Sequence, residues 1–180
     1  GRENSLAWAL IRSDLVKDVW VTPGNGGTAE LMGCCQLSIQ ENDPINLISF
    51  CKTHQVDLII IGPEAPLAAG LADELRQANL IVFGPGSEGA KLEASKAWAK
   101  EFMLEAGVPT ARHWTVNSQA KALEVLSQQN VPLIVKADGL AAGKGVTVAE
   151  TIKETQNAIH EAFQGKFGNA GTQLVLEERL

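Results

Sequence analysis

Two lysines and three glycines within residues 134–148 are the strongest candidates for chemistry in the sequence. The lysines are Lys136 and Lys144, and the glycines are Gly139, Gly143 and Gly145. Glycine lets the backbone approach an anion closely, and successive backbone N–H groups form a concave anion-binding nest. Two ammonium groups beside such a nest suit a polyphosphate. The stretch therefore predicts a nucleotide site whose loop can close over the phosphates and exclude water.

The elements on either side of this loop are predicted to be strands, Pro132–Ala137 before it and Val146–Ala149 after it. A Walker A loop would instead run GxxxxGK[ST] into a helix, whereas Lys144 is followed by Gly145 and a strand. The alternative interpretation is that the segment binds no ligand and is a glycine-rich hairpin with solvated lysines. Because loops carry function disproportionately, the combination of charges and glycines favours the phosphate site.

Two further glycine turns, Thr22–Thr28 and Gly62–Leu67, follow predicted strands in the first half of the chain. Ligands of open α/β sheets bind outside the carboxyl ends of the strands, and a glycine turn that leads into a helix suits a phosphate. Glu64 in the second turn is placed to accept hydrogen bonds from sugar hydroxyls or an amine. Each turn alone is as readily an ordinary connection, but two turns at one sheet edge favour a ligand site.

A third turn, Gly84–Gly89, matches the pattern G-x-G-x-x-G between a predicted strand and a predicted helix. The dinucleotide fingerprint also requires an acidic residue about 20 positions later, at the end of the next strand. The nearest candidate, Glu105, falls near the end of a predicted helix instead. We therefore favour a turn that ends a strand over a site for NAD.

Apolar runs and helical patterns alternate in the first half of the chain, which predicts a doubly wound α/β domain with a parallel sheet. The second half reads as a smaller α+β unit, and we place the boundary near residue 95, giving domains 1–95 and 96–180. The predicted strands are 18–21, 56–61, 80–83, 112–116, 132–137, 146–149 and 173–177, and those at 56–61 and 80–83 are predicted to be buried. The predicted helices are 5–11, 46–54, 67–78, 88–106 and 118–129. A further helix is predicted to begin at the capping-box pair Thr151 and Glu154, and its buried face is the stripe Ile152, Thr155, Ile159 and Phe163. A loop at 165–171 is predicted before the last strand.

The first element of the sequence is a helix, whereas a doubly wound domain begins with a strand in the middle of its sheet. Without that central strand, two rows of backbone groups would be left unpaired, which is costly when they are buried. We therefore expect that the sequence omits upstream residues that form the first strand.

Composition excludes several classes of protein. With 15 Lys+Arg against 21 Asp+Glu and a net charge of −6, the chain lacks the basic surface of a dedicated nucleic-acid binder. The apolar runs are too short to cross a membrane, and because the first residues lack the apolar stretch of a signal peptide, we expect none. Cys34, Cys35 and Cys51 form no CxxC pattern and the three histidines are scattered, so we expect no disulfide framework and no metal site within the chain. We expect a cytoplasmic monomer that acts on small molecules, without nucleic-acid or membrane partners.

Taken together, the motifs resemble the glycinamide ribonucleotide synthetase (phosphoribosylamine–glycine ligase) family, ATP-grasp enzymes of purine biosynthesis. The resemblance covers essentially the whole chain, and KADGLAAGKGV is its most specific part. Two residues depart from the family pattern: Asn4 stands where His is usual, and Ala94 where Gly is usual. The matching segments are Gly1-Arg2-Glu3 with Leu6-Ala7-Trp8, Pro23-Gly24-Asn25 with Gly27-Thr28, Gly62–Leu67, Phe83-Gly84-Pro85, Ser95-Lys96-Ala97 and Lys136–Val146.

The resemblance implies ligation of glycine to phosphoribosylamine, through a glycyl phosphate, with ATP cleaved to ADP and phosphate. It implies Lys136 and Lys144 as the catalytic lysines. It implies that ATP is bound by Lys96, Lys136, Asp138, Gly139, Gly143, Lys144, Gly145, Glu177, Glu178 and Leu180. It implies that phosphoribosylamine is bound by Gly1, Arg2, Glu3, Gly24, Asn25, Gly27, Thr28, Glu64, Pro66 and Leu67.

The family's ligands for Mg²⁺ or Mn²⁺, and the carboxylate that holds the ribose, would lie downstream of residue 180. The chain alone is therefore expected to be inactive. Three alternatives stay open: another ATP-grasp carboxylate–amine ligase, such as a biotin carboxylase-like or formate-using purine enzyme; an NAD-dependent oxidoreductase; and a non-catalytic nucleotide-binding fragment.

Overall fold

The structure is a computed structural model that describes residues 1–140 and 145–180. Its contacts divide the chain into two compact units, residues 1–89 and 90–180. The boundary that we place near residue 95 lies slightly later in the chain and stays a prediction. Within the described ranges, no helix is long and apolar enough to cross a membrane.

The first unit alternates helices with short parallel strands, as the sequence predicts. Strand β1 (Val19–Val21) pairs with β2 (Cys34–Gln36), and β3 (Ile59–Ile60) pairs with β4 (Val82–Phe83), both in parallel. The two pairs form separate two-stranded sheets rather than one continuous sheet. The elements are α1 (Arg2–Ile11), β1 (Val19–Val21), α2 (Gly26–Ala29), β2 (Cys34–Gln36), α3 (Pro44–Thr53), β3 (Ile59–Ile60), α4 (Glu64–Ala68), α5 (Leu71–Gln77), β4 (Val82–Phe83) and α6 (Ser87–Ala94), of which the last continues past residue 89.

The prediction of a strand in each of the runs 56–61 and 80–83 is confirmed, but the prediction that these strands are buried is wrong. Only two residues of each run form a strand, and Leu58, Ile81 and Phe83 are 48%, 68% and 69% exposed. The physical reason is that each strand belongs to a sheet of only two strands.

A cavity of about 820 Å³ lies between the two strand pairs of the first unit. It is lined by β1 and β3 and by the apolar residues Leu6 and Leu10 of α1. The amides of Ile59 and Ile61 donate to carbonyls of the run that contains β4, at 2.9 and 3.1 Å. In a parallel strand alternate residues point to opposite edges, so the backbone groups of Ile60 face away from β4. The cavity therefore borders the edge of β3 that does not pair with β4.

Two helices that the sequence predicts as continuous are each broken in the structure. The predicted helix 67–78 is divided into α4 and α5 at Gly70, whose φ of 93° is left-handed. The predicted helix 88–106 is divided at Ser95, which is extended and serves as the N-cap of the following helix. Serine is a weak helix former but a favoured N-cap, because its hydroxyl accepts a hydrogen bond from a backbone N–H that has no partner within the first turn.

The second unit contains a four-stranded antiparallel sheet in the order β5-β8-β6-β7. The N-cap that the sequence predicts at Ser118 is confirmed, since its side chain accepts from the amide of Lys121. The capping box at Thr151 is half formed: Thr151 accepts from Glu154, but the Glu154 carboxylate accepts from Glu150. The elements are α7 (Lys96–Glu105), β5 (His113–Val116), α8 (Gln119–Gln129), β6 (Leu133–Ala137), β7 (Val146–Val148), α9 (Ile152–Glu161), a π-helical turn (Ala162–Lys166), a 3₁₀ turn (Gly168–Thr172) where a loop was expected, and β8 (Leu174–Glu178).

One face of this sheet forms the core of the second unit. Alternate residues of β6 and β8 pack with α8 and α9 into one apolar cluster, which includes Leu126, Leu133, Ile159 and Leu176. The predicted stripe of α9 is confirmed, because Thr155 and Ile159 are fully buried. The strand period then directs the intervening residues of β6 and β8 to the opposite face of the sheet.

The hydroxyl of buried Thr155 accepts from the amide of Leu133 at 3.1 Å. Replacing Thr155 by Val keeps the shape but leaves that amide without its partner, so we expect a loss of about 1–3 kcal/mol of unfolding free energy. Urea unfolding measures the loss, and hydrogen exchange at the Leu133 amide localises it. Thr115→Val on an exposed position of β5 is the control and should change stability by less than about 0.5 kcal/mol. Equal effects of the two substitutions would contradict this account of the core.

Candidate functional site

Lys136 lies on the face of the sheet opposite the apolar core. Its neighbours Val135 and Ala137 are buried in that core, so alternation turns Lys136 the other way. The register pairs Lys136 with Val175 and Ile134 with Glu177. Lys136 and Glu177 are therefore diagonal neighbours on one face, a distance that long side chains span. The Lys136 ammonium donates to Oε2 of Glu177 at 2.7 Å.

The carboxylate of Glu177 is shared by two ammonium groups. Its residue is 4% exposed, and its Oε1 lies 3.2 Å from Nζ of Lys100 on α7. The same Lys100 Nζ donates to the hydroxyl of Thr110 at 2.7 Å and to the carbonyl of Ala111 at 3.3 Å. A carboxylate buried to this degree requires charged or hydrogen-bonding partners. The trio of Lys100, Glu177 and Lys136 carries one net positive charge.

A second network joins the end of β6 to the start of α7. The carboxylate of Asp138 accepts from the Ser95 hydroxyl and from the amide of Ala97, both at 3.1 Å. The Ser95 Oγ in turn accepts from the amide of Trp98. A carboxylate at the N-terminus of a helix satisfies free N–H groups and interacts favourably with the helix dipole. Asp138 thereby holds the first residues after β6 beside the first turn of α7.

Lys96, the first residue of α7, reaches across to the beginning of the glycine-rich loop. Its ammonium donates to the carbonyl of Gly139 at 3.0 Å. Gly139 has a φ of +114°, and a Cβ there would lie 3.3 Å from the Cβ of Ala170, so a larger residue would be strained. The carbonyl of Gly145, at the other end of the loop, accepts from the amide of Ala137 at 2.7 Å.

The structure thus brings together several of the residues predicted to bind nucleotide. Lys96, Asp138 and Gly139 form one hydrogen-bonded group, and Lys136 and Glu177 form another. Both groups include β6 or the residues that immediately follow it. Gly143 and Lys144, which the sequence also predicts, lie outside the described residues.

The last predicted nucleotide residues lie at the end of β8. Oε1 of Glu178 accepts from the amide of Arg112 at 2.8 Å, and the Glu178 amide donates to the Arg112 carbonyl at 2.9 Å. Leu180 is 94% exposed. A second cavity, of about 530 Å³, is lined by Val131, Pro132 and residues 178–180.

In the first unit, the turn after β1 is held by its own side chains. Asn25 is the N-cap of α2, with its Oδ1 accepting from the amide of Thr28 at 3.1 Å and its amide donating to the Thr28 hydroxyl at 2.8 Å. Gln36 at the end of β2 donates to the carbonyl of Asn25 at 2.6 Å and to Thr28 Oγ1 at 2.9 Å. Gly24 has a φ of +81°, and a Cβ there would lie 2.7 Å from the Gln36 amide nitrogen. The turn therefore requires glycine at that position.

The first turn of α1 lies between the two predicted substrate turns. A Cβ on Gly27 would lie 2.7 Å from Nδ2 of Asn4, so α1 approaches the turn after β1 closely. Two residues earlier, Arg2 Nη2 donates to Oε2 of Glu64 at 3.0 Å, and Arg2 Nε lies 3.4 Å from Oε1 of Glu3. The start of α1 thus contacts both the turn after β1 and the turn after β3, although these strands belong to separate sheets.

The remaining predicted substrate residues differ in how accessible they are to a small molecule. Gly1 is the exposed N-cap of α1. The side chains of Pro66 and Leu67 are buried in α4. The Glu64 side chain is 43% exposed, so it can meet both Arg2 and a small molecule. The pKa of the Glu64 carboxyl lies below its ordinary value, first because its own backbone N–H donates to it and second because Arg2 does.

The G-x-G-x-x-G turn at 84–89 is occupied by a side chain of the protein. Oδ2 of Asp73 accepts from the amide of Ser87 at 2.7 Å, at the first residue of α6. A Cβ on Gly86 would lie 2.3 Å from Asp73 Oδ1, so glycine here makes room for the carboxylate. The amide at the start of α6 is thus already paired with a carboxylate of the protein.

Some residues whose side chains contact predicted site residues were not themselves predicted, among them Lys100, Ser95, Asn4 and Gln36. Lys100 follows Lys96 by one helical turn, a spacing that indicates a shared helix face but no particular partner. Within residues 1–140 and 145–180, no group of three or more His, Cys, Asp or Glu side chains could hold a metal ion.

Because Arg2 donates to Glu64, removing that donor should raise the pKa of the carboxyl. In an NMR pH titration of the Glu64 side chain, we expect a midpoint below the ordinary glutamate value, moved to higher pH in the Arg2→Gln variant. Arg12→Gln is the control, since the Arg12 guanidinium lies 4.4 Å from the Trp8 ring instead. An unchanged Glu64 midpoint in the Arg2→Gln variant would show that the ion pair does not hold the carboxylate.

Comparisons with known proteins cover both units of the chain. A family model described as "Phosphoribosylglycinamide synthetase, N domain" matches residues 1–93. A second, described as "Phosphoribosylglycinamide synthetase, ATP-grasp (A) domain", matches residues 94–180.

Curated relatives with the name phosphoribosylamine–glycine ligase align with the whole chain. The protein from Nostoc sp. (strain PCC 7120) is 48% identical over 180 residues, and the protein from Escherichia coli (strain K12) is 44% identical over 181 residues. Each alignment covers 100% of this chain but 42% of the relative. The chain therefore spans less than half the length of these relatives.

Solved structures show the same fold. A phosphoribosylamine–glycine ligase from Thermotoga maritima superposes with a TM-score of 0.77 at 27% identity, over 99% of this chain and 41% of that one. The biotin carboxylase domain of a 2-oxoglutarate carboxylase from Hydrogenobacter thermophilus gives 0.72 at 18% identity, over 100% of this chain and 42% of that one. The second likeness shows the fold alone.

Proposed function

The chain belongs to the phosphoribosylglycinamide synthetase family, and on that premise we propose that its protein ligates glycine to phosphoribosylamine at the expense of ATP. The relatives that align with the whole chain carry the name of this activity. Because the chain spans 42% of their length, we assign it a part of the machinery and the reaction to the whole protein. The part assigned is a hold on the phosphates of ATP and one side of the phosphoribosylamine site.

The observation that carries the proposal is the pair of lysines around the end of β6. Lys136 on the strand and Lys96 at the start of α7 each donate to a group next to the glycine-rich loop or on the adjoining strand. Two ammonium groups at the mouth of such a loop neutralise the charge of a polyphosphate. Lys144 within the loop would add a third, as the sequence predicts.

The chemistry we propose proceeds in two displacements. A carboxylate oxygen of glycine attacks the γ-phosphorus of ATP, the bond to the β-phosphate oxygen breaks, and ADP leaves. The amine of phosphoribosylamine then attacks the acyl carbon, the carbon–oxygen bond to phosphate breaks, and the nitrogen loses a proton. Catalysis of phosphoryl transfer is mostly positioning and stabilisation of charge, so the lysines act as fixed cations rather than as bases.

We propose that the start of α1 and its two neighbouring turns hold phosphoribosylamine. Arg2 supplies a guanidinium suited to a phosphate or a hydroxyl, and Glu64 supplies an acceptor for an amine or a hydroxyl. Asn25 and Thr28 keep the turn after β1 rigid through their reciprocal hydrogen bonds. At the end of β8, residues 177–180 are proposed to contact adenine through their backbone.

A divalent cation is proposed for the reaction, as Mg²⁺ or Mn²⁺, but the described residues do not supply a site for it. No cluster of three or more potential ligands occurs among residues 1–140 and 145–180. We therefore assign no metal ligand to these residues.

Replacing Lys136 by Ala in the whole protein tests the assignment. We expect kcat/KM for ATP to fall, because removing one electrostatic donor costs about 2–4 kcal/mol of transition-state stabilisation. Lys153→Ala, an exposed position on α9, is the matched control and should leave kcat/KM unchanged. The assay measures the rate of ADP release in the presence of both glycine and phosphoribosylamine.

Two outcomes would count against the proposal. If Lys136→Ala and Lys153→Ala had the same kcat/KM for ATP, Lys136 would not contact the phosphates. If ADP release were supported by a different carboxylate or amine and not by this pair, the protein would be another ATP-grasp ligase.

A further inference from the structure

Lys100 is a buried cation that the proposed reaction does not use. Its side chain is 8% exposed, against 25% for Lys136. Lysine is almost never buried unless it is paired, because removing an ammonium group from water is costly. A role for Lys100 must therefore be sought in what its charge does to its neighbours.

The Lys100 ammonium is held by three neighbours. It donates hydrogen bonds to the Thr110 hydroxyl at 2.7 Å and to the Ala111 carbonyl at 3.3 Å, and it forms an ion pair with Oε1 of Glu177 at 3.2 Å. Two of them are uncharged groups in the segment that leads into β5. The Lys100 ammonium is thus fixed in place from two directions.

Lys136 is held differently. Among the residues that the structure describes, its ammonium has one partner, Oε2 of Glu177 at 2.7 Å. Two of its three donors remain available, and the side chain is partly exposed. Glu177 therefore connects a fixed cation to an accessible one.

We propose that Lys100 is a positioning residue that acts on Lys136 through Glu177. Lys100 anchors one carboxylate oxygen, which places the other at a set point beside β6 and holds the Lys136 ammonium ready for an incoming phosphate. Lys100 also partly neutralises the negative charge of Glu177, so that the carboxylate competes less strongly with the phosphate for Lys136. This inference rests on the proposed role of Lys136 in binding ATP.

The charge of the trio shows why the arrangement favours a polyanion. With Lys100 present, the trio carries a net charge of +1, and a phosphate meets a positive group. Without Lys100, Glu177 and Lys136 form a neutral pair, and a phosphate has to displace a full carboxylate. The penalty should grow with the charge of the ligand, because the interaction energy of charges scales with their product.

The test measures binding of ATP, AMP and adenosine to the whole protein by calorimetry, for the wild type and for Lys100→Met. We expect the affinity for ATP to fall about 10- to 100-fold, as for loss of a hydrogen bond to a charged group. The affinity for adenosine should stay within about threefold, and AMP should lie between. Lys100→Arg keeps the charge and should restore most of the ATP affinity.

A merely structural role would lower the affinity for all three ligands together, and that result overturns the proposal. Full ATP affinity in Lys100→Met overturns it as well. Circular dichroism checks that the variants fold; if Lys100→Met does not, Lys100→Gln replaces it under the same criteria.

Lys136→Ala separates this inference from the proposed function. If that variant binds ATP like the wild type, the proposed function fails, whereas if it loses ATP affinity and Lys100→Met does not, only the inference fails.

Discussion

The carboxylate of Glu177 must be neutralised where it lies, on an inner strand of the second unit's sheet and 4% exposed. An isolated buried carboxylate is costly, so the fold brings Lys100 from α7 and Lys136 from β6 to its two oxygens. Much of the candidate site follows from this constraint. It fixes α7 against the face of the sheet that the apolar core leaves free, and it sets the ammonium of Lys136 at the end of the strand that precedes the glycine-rich loop.

Asp138 repeats the same principle at the start of that loop, since its carboxylate is satisfied by the first turn of α7 and by Ser95. Carboxylates also organise the first unit, where Asp73 closes the turn before α6 and Glu64 pairs with Arg2. In each case an acidic side chain occupies a helix start or meets a cation, where its charge is stabilised. The acidic balance of the chain therefore coexists with local cationic groups that suit a phosphate.

The sequence alone predicted β1, β3 and β4 of the first unit, the strands and helices of the second and the strand position of Lys136, because these follow from the period of the apolar residues. It did not predict β2, which has only three residues, Cys34–Gln36. It did not predict the break at Ser95, since that break is stabilised by Asp138, 43 residues further along the chain. Lys100 was missed because a lone lysine within a helical pattern is normally solvated. The short, only partly buried strands β3 and β4 were predicted as buried because apolar runs report composition, whereas burial depends on how many strands the sheet contains.

A crystal structure of the whole protein with a non-hydrolysable ATP analogue tests the central claim most directly. The account predicts phosphate oxygens within about 2.7–3.2 Å of the ammonium groups of Lys96 and Lys136, with Lys100 still paired to Glu177. Phosphates bound at another place, or a Lys136 that keeps its contact with Glu177 alone while the analogue is bound, would contradict it.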